Sequence, residues 1–165
     1  MDRTVVLGSG NELMSDEGVG VHAVRILQER LDLSDGSIEL IEGGTSPDIG
    51  HLVQGAGKLV IIDAVKGGYE PGTVYRFTPD KIVSEPGIAT SVHQIGIVDN
   101  LNMMKLMGDM PGQTVIIGIE PASVEVGLEL SPALQEKMPR LIETVLEEIG
   151  LSSGKANNKA KVWKC

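Results

Sequence analysis

The sequence predicts an α/β fold, a three-layer sandwich in which a mostly parallel, twisted five-stranded sheet has helices on both faces. Strand-like runs rich in β-branched residues alternate with helical patterns along the chain, which is typical of parallel sheets with crossover helices. The run at 59–65 is apolar at nearly every position, as in a strand covered on both faces. The 165 residues are enough for one domain with a full core.

Short apolar runs bounded by glycines or turn residues predict five strands, at residues 4–8, 38–41, 59–65, 73–77 and 115–119. The first two end at glycines, and Gly43-Gly44 stops the second. The fourth is predicted to be antiparallel, because Gly67-Gly68 and Pro71-Gly72 before it are residues typical of a hairpin.

Apolar residues at helical spacing predict helices between these strands, at about 15–31, 45–53, 92–107 and 131–149. Ser15 or Asp16 is predicted to cap the first helix, and Ser131 the last, in which Pro139 introduces a kink. Gly108 is predicted to end the third. Residues 1–151 are therefore expected to form a single α/β domain, and residues 152–165 a basic, disordered tail.

Charge and composition exclude several functions. The formal net charge is −9, and the four lysines of the tail leave a body with a net charge of −13, which repels nucleic acid and anionic membranes. Aromatic residues make up 2% of the chain, too few for base stacking. No apolar run is long enough to cross a bilayer, and the N-terminus lacks a signal-peptide pattern. The single cysteine, Cys165, excludes a disulfide within the chain, so a cytoplasmic protein is expected.

Acidic residues follow several of the predicted strands, at the sheet edge where α/β proteins bind ligands. Asp16 and Glu17 come after the first strand, and Asp63 lies near the end of the third. Glu42 and Glu120 follow the second and fifth strands. His93 begins a helix that reaches the same edge. This distribution predicts a site at the carboxyl ends of the strands.

Three kinds of site are compatible with these residues. Gly8-Ser9-Gly10 is typical of a phosphate loop, but Leu13 stands where the third glycine is needed, and Asp16 and Glu17 would repel a phosphate. For nucleophilic catalysis, the sequence lacks a Gly-x-Ser-x-Gly elbow, and the two-residue spacing of Ser91 and His93 has no recognised triad geometry. Carboxylates with one imidazole suit a divalent ion such as zinc or nickel.

Structural roles remain open for the same residues. Asp16 or Glu17 can complement a helix dipole, and Asp63 can bond loop amides at the end of its strand. His93 can be a partly buried histidine at a helix start. The methionines at 103–110 are typical of helix packing rather than of a thioether metal site.

Six segments together resemble the hydrogenase maturation endopeptidases, which process the large subunit of nickel–iron hydrogenases. The resemblance covers about residues 1–150, in order and at the expected separations. Its longest segment runs from Gly8 to Gly20, and the others are Gly43-Gly44-Thr45, Ile61-Ile62-Asp63-Ala64, Ser91-Val92-His93, Gly118-Ile119-Glu120-Pro121 and Leu130-Ser131-Pro132.

The resemblance implies both the fold derived above and an activity. Members of the family remove a C-terminal extension from the large-subunit precursor after nickel insertion, just beyond a Cys-x-x-Cys motif that ligates the nickel. The family's metal ligands correspond to Glu17, Asp63 and His93, which contact nickel held by the substrate. Asp16, Glu42 and Glu120 are expected to support them, and zinc or cadmium to substitute for nickel in vitro.

Two other functions are kept as alternatives. One is a non-catalytic metal- or ligand-binding α/β module, which is favoured if Glu17, Asp63 and His93 do not converge in space. The other is a related metal-dependent peptidase that acts on a different protein. The resemblance leaves the catalytic nucleophile or base unassigned.

Overall fold

The computed structural model describes residues 3–45, 49–81, 92–151 and 161–162, and of residues 92–96 and 161–162 it describes the backbone alone. The strands are β1 (Arg3–Ser9), β2 (Ile38–Gly44), β3 (Ala56–Ala64), β4 (Val74–Phe77), β5 (Gln113–Ile119) and β6 (Lys161–Val162). The main helices are α1 (Val19–Arg30), α2 (Ile49–Val53), α3 (Val92–Met107) and α4 (Pro132–Glu148). A 3-10 turn at Ser15–Gly18 leads into α1.

The strands form one sheet in the order β2-β1-β3-β5-β4-β6. β1 pairs in parallel with β2 and β3, and β3 pairs in parallel with β5. The prediction of a mostly parallel α/β sheet is therefore confirmed. β4 is antiparallel as predicted, but the predicted hairpin is wrong, because β4 pairs with β5 rather than with β3. Both edges of β3 are already occupied by β1 and β5, so β4 cannot pair with β3 and lies beyond β5 instead.

Alternate residues of the central strands bury opposite faces of the sheet. Val60 and Ile62 of β3 pack in a cluster with apolar residues of α1 and α4. Leu59 and Ile61 pack in a second cluster with residues of α2 and α3, including Ile97, Leu101 and Met104 of α3. Because strand side chains alternate between faces, an uninterrupted apolar run is what a sheet covered on both sides requires.

The helix ends follow the sequence signals only in part. Ser131 caps α4, with its hydroxyl oxygen 3.4 Å from the Leu134 amide that donates to it. Gly108, at φ 77°, follows the end of α3. The predicted cap of α1 is wrong: Gly18 occupies the N-cap position and no side chain caps the helix. Asp16 lies in the preceding 3-10 turn, where its carboxylate has other partners.

Three predicted features fall wholly or partly beyond the described residues. These are the helix start at 46–48, most of the 152–165 tail and, between the predicted fourth strand and third helix, a connection for which a loop at 79–90 is expected from Pro79, Pro86 and Gly87. Within that tail Lys161 and Val162 differ from the expected disorder, because they pair in parallel with Tyr75 and Arg76 of β4. An edge strand offers unpaired backbone groups, and β6 satisfies some of those on β4.

Glu148, in the last turn of α4, anchors an ion-pair cluster. The carboxylate accepts two bonds from Arg76, at 2.7 and 2.9 Å, and lies 3.2 Å from Lys58 Nζ. Burial raises the pKa of Glu148, but hydrogen bonds from Arg76 and Lys58 outweigh burial and lower that pKa below its usual value. This cluster therefore ties α4 to β3 and β4 through a charged carboxylate.

Candidate active site

Close backbone approaches bring the turn after β1 against the end of β3. The Cβ of any residue replacing Gly10 would lie 1.8 Å from the main-chain oxygen of Glu17 and 3.1 Å from Asp63 Oδ1. Gly10 also has φ 121°, which side chains disfavour. A Cβ at Gly20 would lie 2.1 Å from the Ile62 oxygen, so α1 begins directly against the sheet. These contacts place Glu17 beside Asp63 at the carboxyl edge.

The side chain of Asp63 is fully buried, and the described residues give its carboxyl group few hydrogen-bond donors. Its Oδ1 accepts one hydrogen bond, from the Ala64 amide at 2.8 Å. Its Oδ2 is buried and has no hydrogen-bond partner among the described residues. Burial raises the pKa of Asp63 to about 8, the Ala64 bond opposes that shift, and the nearby charge of Glu17 adds to it. A buried carboxylate oxygen without a donor is the feature a bound cation would satisfy.

Glu17 lies in the 3-10 turn and is half-buried. Its charge contributes to the raised pKa of Asp63, so the two carboxyl groups act on each other electrostatically. The structure thus brings together two of the three residues predicted to contact a metal.

The third residue, His93, lies in the first turn of α3. α3 has 16 residues, a length of about 24 Å, and ends shortly before β5 begins at Gln113. Because α3 packs over the sheet and β5 itself spans about 23 Å, the helix start lies level with the carboxyl ends of the strands. The backbone of His93 is therefore on the predicted side, and its side chain lies outside the described part of the chain.

Asp16, predicted to support the site, instead holds a loop together. Its buried carboxylate accepts from the amides of Ala122, Ser123 and Ser131 and from the Ser131 hydroxyl, at 2.8–2.9 Å. These donors lie more than 100 residues away in the chain. Asp16 thus fixes the 121–131 segment against the turn that carries Glu17.

Glu42 and Glu120, the other predicted supporting residues, also have protein partners. Glu42 pairs at 2.5 Å with Nε of Arg25, which also contacts Glu12 at 2.8 Å. Glu120 accepts hydrogen bonds from the amides of the segment after β3 and from the Tyr75 hydroxyl. Arg25 was not singled out by the sequence, because its partners are 13 and 17 residues away and leave no local pattern.

Glu17 and Asp63 by themselves supply two carboxylates, and the described side chains contain no group of three or more His, Cys, Asp or Glu residues that could hold a metal ion. His93 is the predicted residue that would complete such a group. Two carboxylates and one imidazole would leave positions of a divalent ion open to other ligands.

Among the described helices, none has the length and apolar character needed to cross a membrane.

Solved structures of peptidases share this fold. The hydrogenase maturating endopeptidase HybD of Escherichia coli matches with a TM-score of 0.79 and 29% identity, over 90% of this chain and 92% of that one. The nickel–iron hydrogenase maturation protease HybD of Thermococcus kodakarensis matches with a TM-score of 0.71 and 30% identity, over 89% and 98% of the two chains. The fold is therefore that of an endopeptidase, a hydrolase.

Sequence comparisons give the family. The family model described as hydrogenase maturation protease (HycI) matches residues 21–148. The hydrogenase 2 maturation protease of Escherichia coli is 31% identical over 147 residues, which cover 87% of this chain and 88% of that protein. The hydrogenase expression/formation protein HupD of Thiocapsa roseopersicina is 36% identical over 87% of this chain and 66% of its own length. The chain belongs to the hydrogenase maturation protease family, which cleaves the C-terminal extension of large-subunit precursors.

Proposed function

We propose that this protein removes the C-terminal extension of the nickel-loaded large-subunit precursor of a nickel–iron hydrogenase, and that Glu17, Asp63 and His93 contact the nickel held by that precursor. The observation that carries the proposal is Asp63 Oδ2, a buried carboxylate oxygen without a donor, beside a second carboxylate. A divalent ion supplied by the substrate satisfies that oxygen and favours the ionised form of Asp63 beside Glu17.

The nickel belongs to the substrate. Carboxylate and imidazole ligands contact it on one side and leave the precursor's own thiolates on the other. An ion in that position polarises the scissile carbonyl or orients the water that attacks it. Water then adds across the peptide bond, which leaves a carboxylate on the subunit and an amine on the released extension.

This arrangement makes nickel loading a checkpoint, because an empty precursor lacks the ion that the three side chains contact. The protein needs no ion of its own. We place the reaction in the cytoplasm, where a chain with one cysteine needs no disulfide.

The test treats the isolated protein with a strong chelator, removes the chelator, and offers nickel-loaded and nickel-free precursor. Mass measurement of the products is expected to show loss of the extension from the nickel-loaded precursor alone. Efficient cutting of the empty precursor would overturn the proposal. So would inactivation that only re-metallation of the protease reverses. Precursor loaded with zinc or cadmium in the same assay measures how far those ions substitute for nickel.

Three variants test the ligand set. Glu17→Gln, Asp63→Asn and His93→Ala are each expected to reduce processing by at least about a thousandfold, because each removes a direct contact to the reacting group. Glu29→Gln, an exposed glutamate on α1, is the matched control and should process normally. Circular dichroism should show the same fold for all four. Full activity in any one of the three would remove that residue from the site.

A further inference from the structure

The segments 11–15 and 122–128 form a small paired unit next to the site. The Gly127 amide donates to the Leu13 oxygen at 2.9 Å, and the Ser15 amide donates to the Gly127 oxygen at 2.8 Å. The Ser15 hydroxyl adds a bond to the Glu125 oxygen at 2.6 Å. Met14 and Gly127 form an isolated parallel bridge, whose register places Leu13 beside Val126. The carboxylate of Asp16 holds this unit from beneath.

Three large apolar side chains of this unit point to solvent. Leu13 is 59% exposed, Val126 86% and Leu128 65%. Single exposed apolar residues are ordinary, but three on one hydrogen-bonded unit form a patch. The backbone hydrogen bonds and the carboxylate of Asp16 fix the conformation of this unit without burying any of the three side chains. An apolar surface is therefore held exposed to solvent. We call Leu13, Val126 and Leu128 the apolar ledge.

The charged residues next to the apolar ledge along the chain are acidic, and Arg25 of α1 pairs with one of them, Glu12. Glu12 and Glu125 lie in the two segments, Glu129 directly follows the second, and both Glu125 and Glu129 are exposed. Neither segment contributes a base, because the sequence has no lysine or arginine between Arg3 and Arg25 or between Lys105 and Lys137. A partner surface that fits the ledge is therefore apolar at its centre and basic at its rim.

The ledge is close enough to the site to be covered by any protein cleaved there. A stable protein interface buries about 800 Å² on each partner, which corresponds to a disc of radius roughly 16 Å. Leu13 precedes Glu17 by four residues, so their Cα atoms are at most about 14 Å apart. A protein that presents a peptide bond to Glu17 and Asp63 thus extends over the ledge.

We propose that the apolar ledge is the docking surface for the protein substrate, the folded large-subunit precursor, which contacts it through an apolar patch with a basic rim. This inference rests on the proposed function and deepens it. Docking on the ledge supplies affinity from a part of the substrate that does not react, while Glu17 and Asp63 act at the scissile bond.

The test replaces the whole ledge and compares it with a matched surface. The triple variant Leu13→Ser, Val126→Ser, Leu128→Ser is measured beside Leu106→Ser with Met107→Ser. Leu106 and Met107 are 85% and 68% exposed at the end of α3, near the opposite edge of the sheet. Initial rates of processing are recorded against the concentration of nickel-loaded precursor, and equilibrium binding of the same precursor is measured in parallel.

The triple variant is expected to raise KM and weaken binding by at least about tenfold, with kcat within about twofold of the unmodified protein. The control pair should match the unmodified protein. Glu125→Lys with Glu129→Lys should also weaken binding at low salt, and the loss should shrink at high salt. Every substituted side chain is exposed in the folded protein and is replaced by a polar or charged one. The melting temperatures of the variants should therefore equal that of the unmodified protein.

The outcomes separate the two proposals. If the unmodified protein cuts the precursor and the triple variant behaves like the control, the ledge proposal is overturned and the proposed function stands. A loss confined to kcat overturns it as well. If the unmodified protein binds the precursor without cutting it, and the triple variant weakens that binding, the docking surface stands and the proposed function fails. Absence of both cutting and binding overturns both.

Discussion

Asp16 and Asp63 are two fully buried aspartates at the same edge of the sheet, and they differ in how many hydrogen-bond donors surround them. The carboxylate of Asp16 accepts four hydrogen bonds from the 121–131 segment. That of Asp63 accepts one, from its own neighbour Ala64, and its second oxygen has no partner in the described part of the chain. Burial is equal, and only the surrounding donors differ.

The difference separates a structural carboxylate from a functional one. A buried charge surrounded by donors holds distant segments together, and its removal leaves those donors unpaired. A buried carboxyl without donors costs free energy of folding when it ionises, and it is retained where a ligand supplies what the protein does not. Asp16 thus contributes stability, and Asp63 lowers stability in exchange for a reactive site.

Removal of Asp16 is expected to have the largest effect on stability. Asp16→Ala leaves buried amides and a hydroxyl unpaired and should lower the free energy of unfolding by about 4 kcal/mol. Chemical denaturation measures the change. Asp35→Ala, an exposed aspartate that bonds only to Ser37, is the control and should cost less than about 1 kcal/mol. Equal losses in the two variants would remove the distinction drawn for Asp16.

Asp63→Asn is expected to change how stability depends on pH. The raised pKa means that, between about pH 4 and 8, the folded protein keeps a proton on Asp63 that the unfolded chain releases. The stability contribution of the protonated group is complete below pH 4 and is lost as pH rises through that window. The unmodified protein should therefore lose up to about 1.4 kcal/mol per pH unit relative to the variant.

This comparison uses metal-free protein and chemical denaturation at several pH values. Asp35→Asn is the control, because the hydrogen bonds from Ser37 lower the pKa of Asp35, so that it is ionised in both states above pH 5. A variant that gains nothing over the unmodified protein between pH 5 and 8 would show that Asp63 is ionised and solvated, contrary to its burial.

Glu148 provides an intermediate case, a carboxylate satisfied by cations rather than by amides. Glu148→Gln should lower the free energy of unfolding by about 2 kcal/mol at pH 7, because the carboxylate loses its charged hydrogen bonds from Arg76 and its ion pair with Lys58. Glu147→Gln, its exposed neighbour, should have almost no effect. The lowered pKa of Glu148 predicts that its contribution is present above about pH 4.5 and disappears as pH falls below it, the reverse of Asp63. A difference that persists undiminished at pH 3 would contradict this account.

Removal of residues 152–165 should have the smallest effect. The segment has few apolar residues, and its described pairing with β4 comprises two residues, so melting temperature and processing should be nearly unchanged. Differential scanning calorimetry of the truncated and full chains is the measurement. Val162→Pro in the full chain, which removes one backbone donor, is the matched variant. A loss of several degrees on truncation would show that the tail is part of the domain.

Much of the site was accessible from the sequence because its parts are local. Glu17 and Asp63 each follow or end a strand, and parallel strands bring their carboxyl ends to one edge, so their proximity follows from the order of elements. The roles of Asp16 and Arg25 were not accessible in this way. The local pattern assigns Asp16 to a helix cap, but Gly18 is the N-cap and the partners of Asp16 are more than 100 residues distant.

The sequence by itself determined the layered α/β fold, because periodicity and turn residues act over a few positions and record which face each element buries. It also determined the family, through short segments whose order and spacing are preserved. Only the tertiary structure decided that β4 pairs with β5, that Asp16 holds a loop while Asp63 is left with an unpartnered oxygen, and that Leu13 lies beside Val126. These features depend on contacts between distant segments, and a local pattern cannot specify which donors will surround a buried group until the whole chain is packed.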